Sequence, residues 1–522
     1  MKTLFYGGKI LTMNDDVYAD AVLVENDKIS ELGSLENLEK KADKKINLEG
    51  RTMMPSFLDA HSHFFQVATS LLRVSLDGVS DIEEMKHRID SFIAENGIKQ
   101  GEWLMARDYD NNIMPEYKNP DIDVLDYLAP NNPIVIHHKS GHMGLMNSLA
   151  FDKLGITSET PSPAGGNIEK KDGRLTGYLE ENAFFDYLKK IPMPSLDVLL
   201  NSFNEAQNKY ASYGITTVQD GMVVAQMLPL YELLLQRDML KIDVKLFADV
   251  ETYEQIDEML KKYPNNGHLS LGGVKIFLDG SPQGRTAYMR EPYADDESYC
   301  GYPTMTDEQV IKAFEFSAKK NAQLISHCNG DAAAEQFIRC LEIAEKDYPQ
   351  LKELRPVIIH GQLMGVDQLA KARELGAMVS FFVAHTYHWG DVHLRNFGKA
   401  RGENISPTNS ALKAGLKFTF HQDAPVIEPD MLETVWCAVN RITKNGVELS
   451  RDERLSTAEA LKAVTKNVAY QYFDEENCGD IEVGKDASFV VLSDNPLEID
   501  AELLRNISVL ETYKNGEIIY KR

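Results

Sequence analysis

The middle of the chain alternates short, strongly apolar runs with longer stretches whose apolar residues recur at helical spacing. The runs of β type are PSFLDAHSH (55–63), GITTVQDG (214–221), DVKLFADV (243–250), GGVKIFLDG (272–280), QLISHCNG (323–330), PVIIHGQ (356–362), MVSFFVAH (378–385) and KFTFHQD (417–423). Helical stretches such as DAAAEQFIRCLEIAEKDY (331–348) and VDQLAKARELG (366–376) separate most of them. Eight such runs with helices between them predict an α/β fold of the (β/α)8 TIM-barrel type. A doubly wound open sheet is the alternative, but no GxGxxG loop follows the first run.

Both ends of the chain read as β structure. MKTLFYGGKILTM (1–13) is a strand and turn, and AVLVENDKISELG (21–33) is two β runs around a polar turn. GDIEVGKDASFVVLSDNP (479–496) reads as a further strand pair, and VLETYKNGEIIY (509–520) places Asn515-Gly516 between two runs, a hairpin signal. Residues 1–55 and 475–522 are therefore expected to meet in one small β-sandwich domain beside a barrel over 56–474. Two independent end domains are the alternative, although short β pieces rarely stand alone. The gap from His63 to Gly214 is far longer than the others. It predicts an insertion over 64–210, after the first barrel strand on the catalytic face, where such inserts build lids and substrate pockets.

Charge narrows the function classes. The chain has 55 basic and 80 acidic residues and a net charge of −25, which argues against nucleic acid or an anionic membrane as partner. Cys300, Cys328, Cys340, Cys437 and Cys478 are scattered and form no CxxC, so neither a disulfide framework nor a thiolate zinc site is suggested. The start lacks a long apolar signal segment, and no run approaches a membrane span. A soluble cytoplasmic protein is expected, with homo-oligomerisation left open.

The first run ends in His61 and His63, which point the same way if strand alternation continues, and two neutral imidazoles can grip one divalent cation. With 13 histidines in 522 residues, one such pair is weak by itself. His327 closes the fifth run, His360 the sixth and Asp423 the eighth, each at the strand end where barrels place active sites. Lys275 shares a face with Phe277 and Asp279, opposite Val274, Ile276 and Leu278, and so points into the barrel. A buried lysine is either half of an internal salt bridge or a neutral amine able to take up carbon dioxide as a carbamate.

His61, His63, Lys275, His327, His360 and Asp423 together resemble the ligand set of the amidohydrolase superfamily. GGVKIFLDGSPQGRTA, HCNGDAA, RLSTAEALKAVTKNVAY and GDIEVGKDASFVVLSDNPL stand in the order of its long-insert branch, which includes N-substituted formamide deformylases. SGHMGLMNSLAF (140–151) and GGNIEKKDGRLTGYLEENA (165–183) are similar to that branch too. The resemblance implies two divalent metal ions, zinc foremost with manganese or iron as alternatives. One would sit on His61, His63 and Asp423 and the other on His327 and His360, with carboxylated Lys275 as bridge. It implies hydrolysis of a C–N amide bond in a small molecule (an N-substituted amide, N-acyl amine or cyclic amide) by a metal-bound hydroxide, with Asp423 as general acid/base. The chain departs from the usual pattern at His421-Gln422, Gly361 and Phe382-Val383, which spare the ligands and fall around the substrate.

Three further residues are candidates for holding substrate. His142 could reach a carbonyl or acyl group, or be a cap or core histidine. Arg285 could clamp a carboxylate, or close a loop salt bridge. His385, at the end of the seventh run, is expected to line the pocket; His388, His393 and Asp391 lie near it unranked. His87 and His268 are expected at the surface. Cys328 faces away from His327, which disfavours a Cys–His nucleophile. HCNGD carries Asp331 in place of a His-x-x-Glu pattern, which disfavours a deaminase. Besides hydrolysis, a non-hydrolytic isomerase or lyase on the same scaffold, or a metal-binding regulatory protein without turnover, fits the residues.

Overall fold

A computed structural model describes residues 1–14, 17–140 and 142–522, with every side chain among them but that of Tyr117. They form two compact units, Met1–Val67 with Asn204–Arg522, and Ala68–Phe203.

The first unit is built on an 8-stranded parallel sheet. Its strands in order are β1 (Phe57–Leu58), β2 (Ile215–Val223), β3 (Asp243–Ala248), β4 (Leu269–Phe277), β5 (Gln323–Cys328), β6 (Val357–His360), β7 (Met378–Phe381) and β8 (Phe418–Phe420). Parallel strands covered on both faces need apolar side chains on both, which is why these segments read as near-continuous apolar runs. Every residue of β6, β7 and β8 is buried. Just beyond β1, the His63 amide donates to the Ala424 carbonyl at 2.9 Å, so the first strand's exit meets the loop after the eighth. The sheet curls round on itself in a TIM-barrel-like α/β fold.

The helices between strands follow their local signals. Asp307–Lys320 begins at a Thr306/Gln309 capping box, buries Val310, Ala313, Phe314, Ser317 and Ala318, and stops at left-handed Asn321, two residues before β5. The helices expected over 331–348 and 366–376 occupy Asp331–Glu345 and Val366–Glu374.

Strands from both chain ends interleave in one further sheet of this unit. Phe489–Leu492 runs antiparallel to Thr52–Pro55, with Phe489 opposite Pro55 and Leu492 opposite Thr52. Phe5 packs edge-on against Phe489 and Tyr513 at centroid distances of 5.4 and 5.2 Å. Asn515 and Gly516 both have positive φ (53° and 80°), the turn that joins Val509–Lys514 to Glu517–Lys521.

The second unit carries its own 6-stranded sheet. Val74–Ser75, Leu104–Tyr109 and Ile134–His138 pair in parallel. Met143–Met146, Arg174–Glu181 and Gly166–Lys171 then continue the sheet antiparallel. Met85, Ile89, Leu125, Leu128 and Ile136 form part of one of its cores. No helix among the described residues is long and apolar enough to cross a membrane.

Three local expectations are corrected. Residues 479–496 hold one strand, Phe489–Leu492, because Ile481 hydrogen-bonds singly to Thr12 instead of extending a ladder. The seventh strand stops at Phe381, and His385 opens the short helix His385–His388. His268 is half-buried rather than superficial, its Nδ1 held 2.8 Å from Asp243, whereas His87 is exposed as expected.

Asp243 also ties the barrel to the terminal sheet through a close ion pair with the buried Lys514. Burial pushes the Asp243 carboxyl up, but Lys514 and His268 more than reverse this and hold it at about 2. A carboxylate depressed on folding stabilises the fold above its unfolded pKa and loses that contribution as pH falls through the folded value. From its usual 3.8 to about 2, the depression corresponds to about 2 kcal/mol. Lys514→Met is expected to lower unfolding free energy at neutral pH by roughly 2 kcal/mol. It should also flatten the loss of stability between about pH 4 and pH 2. Denaturant titrations across that range check both, and unchanged stability at neutral pH would contradict the pair's role.

Candidate metal centre

The carboxyl ends of β1, β4, β5, β6 and β8 bring all six expected ligand residues together. Lys275 Nζ lies 2.7 Å from His61 Nε2. His63 Nε2 and His61 Nε2 lie 3.1 and 3.4 Å from Asp423 Oδ1. His327 Nδ1 lies 3.0 Å from His360 Nε2, which is 3.9 Å from Asp423 Oδ2. Among the described residues, the ligand atoms of His61, His63 and Asp423 converge within 4.8 Å of one another.

The backbone is shaped to allow this convergence. His360 and Asp423 both hold left-handed φ values, 78° and 56°, which cost non-glycine residues about 1–3 kcal/mol each. Gly221 lets the His61 ring lie against β2: a Cβ there would sit 2.4 Å from His61 Cε1. Asp279, beyond β4, accepts the backbone N–H groups of Tyr288, Asn329 and Gly330 at 3.0, 2.9 and 2.7 Å. This pins the loop after β4 to the loop after β5. Burial nevertheless pushes its carboxyl up to about 7.

Outer partners fix the imidazoles. Gln219 in β2 gives its amide N–H to the Ala60 carbonyl at 3.1 Å and turns its oxygen to His61 Nδ1. His61 therefore carries its proton on Nδ1 and presents a bare Nε2. His327 Nε2 lies between the Gly280 carbonyl at 3.3 Å and the Asn329 amide nitrogen at 3.0 Å, and its Nδ1 is turned to the site. Burial holds His61 and His360 well below the ordinary histidine value, and His327 at about 4. The rings are thus neutral ligands at physiological pH.

Asp423 is half-buried; its desolvation alone would raise its pKa, but His63, His61 and His360 hold it well below the usual carboxylate value. Its Oδ1 is shielded from solvent and turned to the Nε2 atoms of His63 and His61. A shielded carboxylate oxygen and imidazole nitrogens facing one point could hold a divalent cation, and the residues fit one. Burial lowers the Lys275 ammonium to about 8, although Asp423 opposes the shift, and its Nζ lies 5.0 Å from the Phe277 ring centroid.

Each of the substrate-binding candidates has partners of its own. Arg285 forms the loop salt bridge, with Asp295 at 2.9 and 3.0 Å, and lies over the Tyr293 ring. His142 belongs to the second unit, exposed, with Nδ1 3.3 Å from Glu181. His385 is buried, Nδ1 3.0 Å from His393 Nε2, and its ring lies 4.5 Å from that of Phe382. His388 pairs with Glu433 at 2.9 Å, and Asp391 accepts from Thr443 at 2.9 Å. Burial raises the Cys328 thiol well above its ordinary value, so it is no thiolate nucleophile. Sequence reasoning passed over Gln219, and gave no role to His421, whose Nε2 lies 3.1 Å from His360 Nδ1. The available signal was a polar residue in an inward register of a buried strand or directly after one.

A profile of the amidohydrolase family matches residues 44–520. YtcJ of Bacillus subtilis (strain 168) is 27% identical over 545 residues, covering 100% of both chains. The N-substituted formamide deformylase of Arthrobacter pascens is 27% identical over 532 residues, 97% of this chain and 95% of its own. An uncharacterized metal-dependent hydrolase from Pyrococcus horikoshii OT3 shares the fold, with a TM-score of 0.77 and 23% identity over 96% of this chain and 99% of its own.

Gln219→Leu removes the acceptor for His61 Nδ1–H and frees the ring to turn. Zinc binding by the chelator-stripped chain is expected to weaken about 10–100-fold, measured by equilibrium dialysis with circular dichroism as fold control. Wild-type affinity in this variant would refute the orienting role.

Proposed function

The chain belongs to the amidohydrolase family, and on that footing we propose that this hydrolase cleaves a C–N amide bond of a small molecule with the help of two divalent cations. The substrate is an N-substituted amide, an N-acyl amine or a cyclic amide; the deformylase among its relatives supports this class. What supports the reading is the cluster of His61, His63 and Asp423 at the strand ends, with His327 Nδ1 and His360 Nε2 3.0 Å apart among the same strand ends; the first three would hold one cation and the latter two the other. Zinc is the first choice for both, with manganese or iron(II) as alternatives. Cations bound there lower the pKa of a water and polarise the scissile carbonyl.

The chain's own residues do the rest. Asp423, ionised and facing the histidines, takes the proton of the attacking water on a carboxylate oxygen. It returns that proton to the leaving nitrogen, so the amine departs neutral and the acyl part leaves as the acid. Lys275 has a neutral amine fraction near pH 8, the state that can attack carbon dioxide. The N–C bond forms, one proton is released, and the resulting carbamate bridges the two donor sets. An ammonium at this position would repel both cations, whereas a carbamate attracts them. His385 lines the substrate pocket. Arg285 and His142 face Asp295 and Glu181 respectively, and each must leave its carboxylate to hold substrate.

Zinc-loaded protein is expected to hydrolyse at least one member of a panel of N-alkyl and N-aryl formamides, N-acyl amines and cyclic imides, and chelator-stripped protein none. Turnover of the panel by stripped protein, or none by loaded protein, would contradict the reading. Lys275→Ala should lose most bound metal and activity, with partial recovery of both on adding a short carboxylic acid able to occupy the bridging position. Normal metal content in Lys275→Ala would refute the carbamate bridge.

A further inference from the structure

We propose that His421 is a positioning residue that decides which nitrogen of His360 faces the His327–His360 donor set, and thereby how tightly that set holds a divalent cation. The inference rests on the reading of His327 and His360 as metal ligands. His421 directly follows β8, is fully buried, and stands where the resemblance leads one to expect a small residue. Its Nδ1 lies 2.8 Å from Ser380 Oγ in β7, and its Nε2 lies 3.1 Å from His360 Nδ1. His360 Nε2 lies 3.0 Å from His327 Nδ1. Ser380, His421, His360 and His327 therefore form one continuous line across β7, the exit of β8, β6 and β5.

A neutral imidazole has one N–H, so with His327 Nε2–H given to the Gly280 carbonyl this line has two arrangements. In the first, the Ser380 hydroxyl donates to His421 Nδ1, His421 Nε2–H donates to His360 Nδ1, and His360 Nε2–H donates to His327 Nδ1. Every bond is made, and no lone pair is left for a cation. In the second, His360 Nδ1–H donates to His421 Nε2 and His421 Nδ1–H donates to Ser380 Oγ. His360 Nε2 and His327 Nδ1 then face each other with bare lone pairs, an arrangement that repels unless a cation lies between them. The first serves the metal-free protein and the second the loaded one, and the two differ by proton positions with no change of net charge. An apolar residue at 421 would destroy the second arrangement, because His360 Nδ1–H would be buried without an acceptor.

The test is zinc titration of the chelator-stripped full chain by equilibrium dialysis, with thermal unfolding of the stripped protein as fold control. Wild type is expected to bind two zinc ions. His421→Leu should bind one of them normally and the other about 10–100-fold more weakly. His421→Gln, whose amide oxygen can accept from His360 Nδ1–H, should recover most of that loss, and Ser380→Ala should show a smaller loss. Selective weakening of one zinc with rescue by glutamine is an outcome a merely space-filling role would not give. If His421→Leu binds both ions like wild type, or His421→Gln is as poor as His421→Leu, the proposal is overturned while the metal reading stands. If His421→Leu does not fold, the Gln and Ala variants decide: wild-type affinity in Ser380→Ala together with weakened binding in His421→Gln overturns it. Wild type that binds no zinc overturns both.

Discussion

Imidazole nitrogens and a carboxylate oxygen, crowded together at the mouth of the parallel sheet, are the constraint on which the rest depends. A neutral histidine that gives its single N–H outward must present its lone pair inward. Gln219 takes the outward bond of His61, and Gly280 and Asn329 meet His327 Nε2 on its outer side. Asp423 supplies the carboxylate of the cluster, its Oδ1 turned to His63 and His61. One divalent cation would satisfy several of these lone pairs at once.

The scaffold accepts local costs to keep this arrangement. Two residues of the cluster sit in left-handed backbone, a strand glycine makes room for a ring, and a buried aspartate whose pKa is pushed up to about 7 pins two loops together. Each is unfavourable alone, and each is outweighed by the well-packed sheet beneath. The ordered, rigid ends of parallel strands are the place in this fold where such strain can be held in register.

Much of this could be read along the chain. The inward register of Lys275 follows from its alternation with Val274, Ile276 and Leu278, and His327, His360 and Asp423 stand out as polar residues closing apolar runs. The run at 378–385 misleads because Phe382, Val383 and Ala384 are as apolar as a strand, yet they leave the ladder and lead into the helix that begins at His385. The run at 479–496 misleads in the same way, since apolar content does not reveal whether a ladder partner exists. The outer partners were the least legible. Gln219 meets His61 across 158 positions and His421 meets His360 across 61, and a hydrogen bond over such a separation leaves no local pattern. The sheet inside Ala68–Phe203 was equally hidden, its outermost strand being two residues long.

The central claim is that two cations occupy the clustered donor sets. Anomalous diffraction from crystals of the full chain grown with zinc tests it most directly. The account predicts one zinc within about 2.0–2.2 Å of His61, His63 and Asp423, and a second at like distance from His327 Nδ1 and His360 Nε2, with carbamate density on Lys275 between them. Crystals that show no zinc at either set, with Lys275 still a free amine against His61, would contradict it.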